Sequence, residues 1–235
     1  MTGPAPIAVA LDAPDLDTAA QWAGLVTPHV STLKVGLELY LRYGQDAVAS
    51  VRGASGADIF LDLKLNDIPD TVRGAARAVA RLRPELLTVN SLAGPAAIEA
   101  AVAVLPETRI VAVTILTSLT DADLERLGLA GPAVEAACRL ARMSVAAGAR
   151  GLVCSPREVA AVRSVVDPGV LLITPGVRPV GQQSHDQARV ATPCEALRAG
   201  ADLLVVGRPI TRAADPGAAA AAMATEVRHC VGASA

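Results

Sequence analysis

Short apolar runs alternate with alanine-rich helical stretches eight times along this chain, and that alternation constrains its fold more than any other feature. The runs are Ile7–Leu11, Thr32–Gly36, Ile59–Lys64, Leu86–Val89, Ile110–Leu116, Gly151–Cys154, Val170–Thr174 and Leu203–Val206. The segments Leu16–Val26, Leu39–Arg52, Pro69–Leu82, Ala96–Leu105, Ala133–Ala147, Pro156–Val165, Pro193–Ala199 and Pro216–Val231 read as helices. Runs such as Ile7–Leu11 and Leu203–Val206 are apolar on both faces, as parallel strands covered from both sides must be. Eight βα units in 235 residues predict an α/β fold, a (β/α)8 TIM barrel, whose usual size is about 250 residues. Nothing marks a second domain, so residues 1–235 are expected to form one. A doubly wound open sheet is the alternative, disfavoured because no Gly-x-Gly-x-x-Gly turn follows the first run. Asp15, Ser155-Pro156 and Thr192-Pro193 are expected to start helices, and Gly148, Gly200 and Gly232 to end them.

Composition removes several classes of function. Apolar residues are 52% of the chain, which excludes disorder, and aromatics are only 2%, so the core must be aliphatic. A net charge of −2 argues against a nucleic-acid partner. The first 33 residues hold no Lys or Arg, so no signal-peptide n-region is expected. No apolar run approaches the roughly 18 residues of a membrane helix, and a cytoplasmic protein without a membrane partner is predicted. Cys138, Cys154, Cys194 and Cys230 lack Cys-x-x-Cys spacing and are expected to be small buried hydrophobes, neither zinc ligands nor a disulfide framework. His29, His185 and His229 show no ligand spacing, and no metal site is expected.

In such a barrel the active site lies where the strands end. The first run ends in Asp12, the second carries Lys34, and the third carries Asp62 and Lys64, followed by Asp67. The fourth ends in Asn90-Ser91, the fifth in Thr114–Ser118 and the sixth in Ser155; the seventh leads into Arg178 and the eighth into Gly207-Arg208. Polar groups thus gather on one rim, which isolated salt bridges would not do.

The third run is the most informative. In an extended strand Asp62 and Lys64 share a face, while Leu61, Leu63 and Leu65 point to covering helices. Pro69 suits the first turn of a helix, so the strand should end near Leu65 with Asp67 beyond its tip. Charges so placed are costly to bury unless paired. Alone, they fit a structural salt-bridge cluster as well as a lysine held as a proton donor.

Gly207-Arg208 reads as a phosphate site, Gly207 letting backbone N–H groups approach and Arg208 adding a bidentate fork; a rim salt bridge is the plainer reading. The stretch Pro175–Pro193 reads as a lid, with Arg178 and Gln187 facing the ligand, or as a surface loop. Asp12 suits a sugar hydroxyl, or helix initiation with Asp15. Lys34 lies within an apolar run and needs a carboxylate, for which Asp62 is the natural partner. Thr117 and Ser118 suit a base edge, or capping of the segment Thr117–Gly131.

Together these stretches closely resemble one family, the orotidine 5′-monophosphate decarboxylases. Phe60–Val72 matches the signature Asp-x-Lys-x-x-Asp-Ile-Pro-x-Thr-Val in order and spacing. Supporting matches are Ala10–Asp12, Leu33–Gly36, Val113–Ser118, Thr174–Pro179, Asp186–Pro193 and Val206–Thr211. The resemblance implies a cofactor-free lyase of pyrimidine biosynthesis that makes UMP from its nucleotide substrate, working as a homodimer with shared active sites. It implies an alternating charge network of Lys34, Asp62, Lys64 and Asp67, with Asp67 and Thr71 supplied by the other subunit. It further implies that Asp12 and Lys34 hold the ribose, Thr117 meets the pyrimidine, and Arg178, Gln187 and Arg208 bind phosphate. Asn66, Asp70 and Ser91 depart from the usual residues, none at a catalytic position. Two runner-up readings remain: a magnesium-dependent sugar-phosphate decarboxylase or aldolase of the same superfamily, and a non-catalytic barrel that binds nucleotide phosphates.

Overall fold

The structure is a computed structural model and describes residues 3–178 and 191–232. Its elements run β1 (Ala5–Ala10), α1 (Leu16–Val26), β2 (Val30–Gly36), α2 (Leu37–Tyr43), α3 (Gln45–Gly53), β3 (Asp58–Leu65), α4 (Pro69–Ala80), β4 (Leu86–Asn90) and α5 (Pro95–Val104). They continue with β5 (Arg109–Val113), α6 (Asp121–Arg126), α7 (Ala133–Ala146), β6 (Gly151–Val153), α8 (Val159–Arg163), β7 (Leu171–Thr174), α9 (Pro193–Arg198), β8 (Leu203–Val206), α10 (Arg208–Thr211) and α11 (Pro216–Gly232). All eight strands pair in parallel and in sequence order, and β1 closes the ring by pairing with both β2 and β8. The expected (β/α)8 barrel is therefore the fold.

The strand pattern explains the two layers of the core. Outward residues such as Ile7, Val9, Leu33, Leu61, Leu87 and Leu204 are buried against the helices. Inward residues Ala8, Phe60, Leu86, Val111, Ile173 and Leu203 fill the barrel itself. Phe60, the one phenylalanine of the chain, is buried there. At about 25 cal/mol per Å² of apolar area, its burial alone is worth roughly 2–3 kcal/mol.

Helix starts follow local chemistry. Asp15 caps α1, its carboxylate accepting from Thr18 N–H at 2.7 Å. Thr192 and Glu195 form a reciprocal capping box at α9, with Pro193 in the first turn. Pro69 likewise opens α4.

Several expectations need correction. The predicted helix Leu39–Arg52 is two helices, broken at Gly44 with φ +57°, a left-handed conformation that favours glycine. Strand β5 stops at Val113, not Leu116: Ile115 is buried without joining the ladder, so its apolarity reports burial and not pairing. Ser155-Pro156 does not begin a helix. Ser155 N–H instead donates to the buried Glu158 carboxylate at 3.0 Å, and α8 starts at Val159. Thr117 and Ser118 cap nothing, because Thr120 caps α6 through a box with Asp123.

The cysteine expectation holds for Cys154, which is buried and free. It fails for Cys194 and Cys230, which are joined as a disulfide between α9 and α11, with their Cα atoms 5.2 Å apart. They are 36 residues apart in sequence, and only the packing of α9 on α11 brings them together.

Candidate active site

At the C-terminal mouth of the barrel lies a cavity of about 480 Å³. Its lining includes Asp12, Lys34, Asp62, Lys64, Thr117, Arg178, Gly207 and Arg208, eight of the eleven residues singled out above. Its floor includes Phe60, Ala10 and Val205, and Trp22, the sole tryptophan, reaches its wall from α1.

Register places the charges. Lys34 on β2 stands beside Phe60 of β3, and Gly36 beside Asp62, so the lysine rises from the apolar plug towards the carboxylate. Lys34 and Asp62 are each only 8% exposed. Their burial is tolerable because each is paired. Lys34 Nζ lies 3.4 Å from Asp62 Oδ2 and 3.7 Å from Asp12 Oδ1. Lys64 Nζ donates to both oxygens of Asp62 at 2.9 Å. The array thus alternates in sign from Asp12 through Lys34 and Asp62 to Lys64. Burial pushes the Asp62 carboxyl up, but the two ammoniums and hydrogen bonds from Lys64 and Thr88 outweigh it, so its pKa lies below the usual range.

Lys64 reaches Asp62 by an irregular backbone. Leu61 pairs with Leu87 and Leu65 with Val89, leaving Asp62, Leu63 and Lys64 opposite Thr88 alone. Within this bulge Lys64 has φ +48°, a left-handed conformation costing about 1–2 kcal/mol outside glycine. The bulge is tied by Thr88, whose hydroxyl accepts from Lys64 N–H at 2.7 Å and donates to Asp62 Oδ1 at 3.0 Å. Sequence reasoning missed Thr88. The available signal was a polar residue at an inward position of an apolar strand, two residues beyond Leu86.

Arg178 is buried, and its guanidinium donates to Val177 O at 3.1 Å. Its backbone N–H donates to Ala191 O at 3.0 Å and Ala191 N–H to Gly176 O at 3.3 Å, so both feet of the long loop are pinned together. Most of that loop, with Gln187, lies outside the described residues. Asp67 and Thr71 are not brought to the cavity of their own chain. Both are exposed, and Asp67 accepts from Ile68 N–H at 2.7 Å. Among the described residues no group of three or more His, Cys, Asp or Glu side chains has the arrangement of a metal site.

A closed parallel barrel whose C-terminal mouth holds paired buried charges defines a (β/α)8-barrel enzyme. The chain belongs to the orotidine 5′-phosphate decarboxylase / HUMPS family, whose model matches residues 5–223. It is 65% identical to the orotidine 5′-phosphate decarboxylase of Thermobifida fusca over 224 residues, 95% of this chain and 96% of the relative. Identity to the enzyme of that name from Frankia casuarinae is 52%, over 94% of this chain and 87% of the relative. The crystal structure of orotidine 5′-phosphate decarboxylase from Lactobacillus acidophilus superposes with a TM-score of 0.81 at 35% identity, covering 95% of this chain and 99% of that one.

Proposed function

We propose that Lys64 drives the reaction of this chain, the decarboxylation of orotidine 5′-phosphate to UMP in pyrimidine biosynthesis. The observation that carries the reading is the Lys34–Asp62–Lys64 array lining a nucleotide-sized cavity, with Lys34 and Asp62 buried and Lys64 half-buried. Breaking the bond from ring carbon to carboxylate releases CO2 and leaves the electron pair on the ring, where no carbonyl is placed to delocalise it. An ammonium already held beside that carbon stabilises the charge, then gives up a proton to form the new C–H bond. Water later returns the proton to Lys64. Asp62 fixes the Lys64 ammonium through two hydrogen bonds and, facing the substrate carboxylate, adds repulsion that is relieved as CO2 leaves.

Remote groups supply binding. Asp12 and Lys34 take the ribose hydroxyls and Thr117 the pyrimidine edge, while Arg178, Arg208, the Gly207 backbone and Gln187 of the loop take the phosphate. Energy gained there closes the site and excludes water.

Asp67 completes the array only in a homodimer, as Asp67 of the partner subunit, with Thr71 beside it. Their outward placement supports this, as do exposed apolar side chains following β2, β3 and β4: Leu41 at 78%, Ile68 at 68% and Leu92 at 49%. In this reading the 235 residues form one catalytic domain acting in the cytoplasm.

A continuous ultraviolet assay with orotidine 5′-phosphate and purified protein tests the proposal. Lys64→Ala should abolish turnover while UMP still binds, since Lys64 acts mainly on the developing carbanion. Comparable losses in turnover and UMP affinity would count against its role, and loss of wild-type activity on chelation would favour the magnesium-dependent branch.

A further inference from the structure

The reading of Lys64 as proton donor leaves open what holds its backbone in a left-handed conformation. Thr88 on β4 is fully buried, so no bulk water competes for its hydroxyl. Of its two partners, the Lys64 N–H can only donate and the Asp62 carboxylate can only accept. The hydroxyl proton must therefore point at Asp62 and an oxygen lone pair at Lys64, a single orientation with both needs met. Thr88 also stands alone opposite the three residues of the bulge, so no ladder hydrogen bond does the same work.

We propose that Thr88 is a positioning residue for the decarboxylation, one hydroxyl setting both the backbone of Lys64 and the carboxylate that aims its ammonium. This rests on the role given to Lys64 above. The side chain touches neither substrate nor reacting atoms in this scheme. Without the hydroxyl the half-buried Lys64 N–H loses its acceptor, and the bulge relaxes by turning φ away from +48°. The Lys64 ammonium then shifts away from the reacting carbon, and misplacement of about 1 Å costs up to about 10²-fold in rate.

Thr88→Val is nearly isosteric and removes only the hydroxyl. Turnover is scored per UMP-binding site, so a poorly folding variant is still informative, and Thr88→Ala serves as a second variant. We expect kcat to fall about 10- to 100-fold while KM and UMP affinity stay within about 2-fold. Thr88→Ser should restore kcat to within a few fold of the wild type.

A Thr88→Val enzyme with wild-type kcat, beside an inactive Lys64→Ala, would overturn the assignment. So would a loss of UMP affinity matching the loss of kcat, which would mark a general structural role. An active Lys64→Ala would instead refute the reading of Lys64 itself.

Discussion

Gly36 offers a sharp test of the charge array, because adding one methyl group there perturbs the site without straining the fold. The residue has φ −95°, where any side chain is allowed, so the backbone itself does not oppose alanine there. Its Cβ would lie 2.7 Å from Lys34 Nζ and 2.9 Å from Asp12 Oδ1. Ordinary contact begins near 3.4 Å, so Lys34 must retreat by about 0.7 Å and Asp12 by about 0.5 Å. The two are not equally free. The Asp12 side chain is 52% exposed and can swing into solvent, whereas Lys34, at 10%, can only press towards Asp62. The Asp12–Lys34 pair opens and the Asp62–Lys64 contact is disturbed. Displacement of this size predicts a loss of about 10- to 100-fold in kcat/KM, with KM rising because the proposed ribose contacts separate. Steady-state ultraviolet kinetics and thermal melts on the same preparation read activity and stability together. A variant with wild-type kcat/KM, or one whose activity falls only with its melting temperature, would refute the reasoning.

Mixing inactive Lys64→Ala with inactive Asp67→Ala tests the shared site: in a mixed dimer one site carries both defects and the other neither. Random pairing should restore about a quarter of all sites, and no recovered activity despite mixed dimers seen by mass spectrometry would sink the model. Arg208→Ala should lower kcat/KM by about 2–5 kcal/mol, with partial rescue by added guanidinium; normal handling of the full substrate would place the phosphate elsewhere. Thiol titration of denatured, unreduced protein should find Cys138 and Cys154 alone, and all four cysteines after reduction. Breaking the 36-residue link should destabilise the fold by about 4 kcal/mol in the chain-entropy model, and four thiols without reductant would contradict the bridge.

Most of the barrel was legible because parallel strands buried on both faces must be apolar throughout, and each run marks its strand within a few residues. The limits of that signal show at Ile115, which is as apolar as a strand residue and as buried, but lies in the loop after β5. The break at Gly44 inside the expected helix Leu39–Arg52 was not legible, since nothing local reveals that its φ is positive. The charged residues of the cavity lining were legible from strand ends, because the fold delivers every strand end to one rim, whereas Trp22 reaches the wall from α1 and was not. Thr88 was missed although it is polar at an inward position, since what its hydroxyl holds shows only once the bulge opposite it is seen. The Cys194–Cys230 link depends on the packing of two helices, which spacing along the chain does not encode.

Trp22 makes the site optically addressable. It is the only indole in the chain, and it stands on the cavity wall. Light absorbed by tryptophan but not by Tyr40 or Tyr43 therefore interrogates one place in the molecule. Emission from that single fluorophore follows the polarity and water content of the mouth, so occupancy can be timed by stopped flow with no label attached.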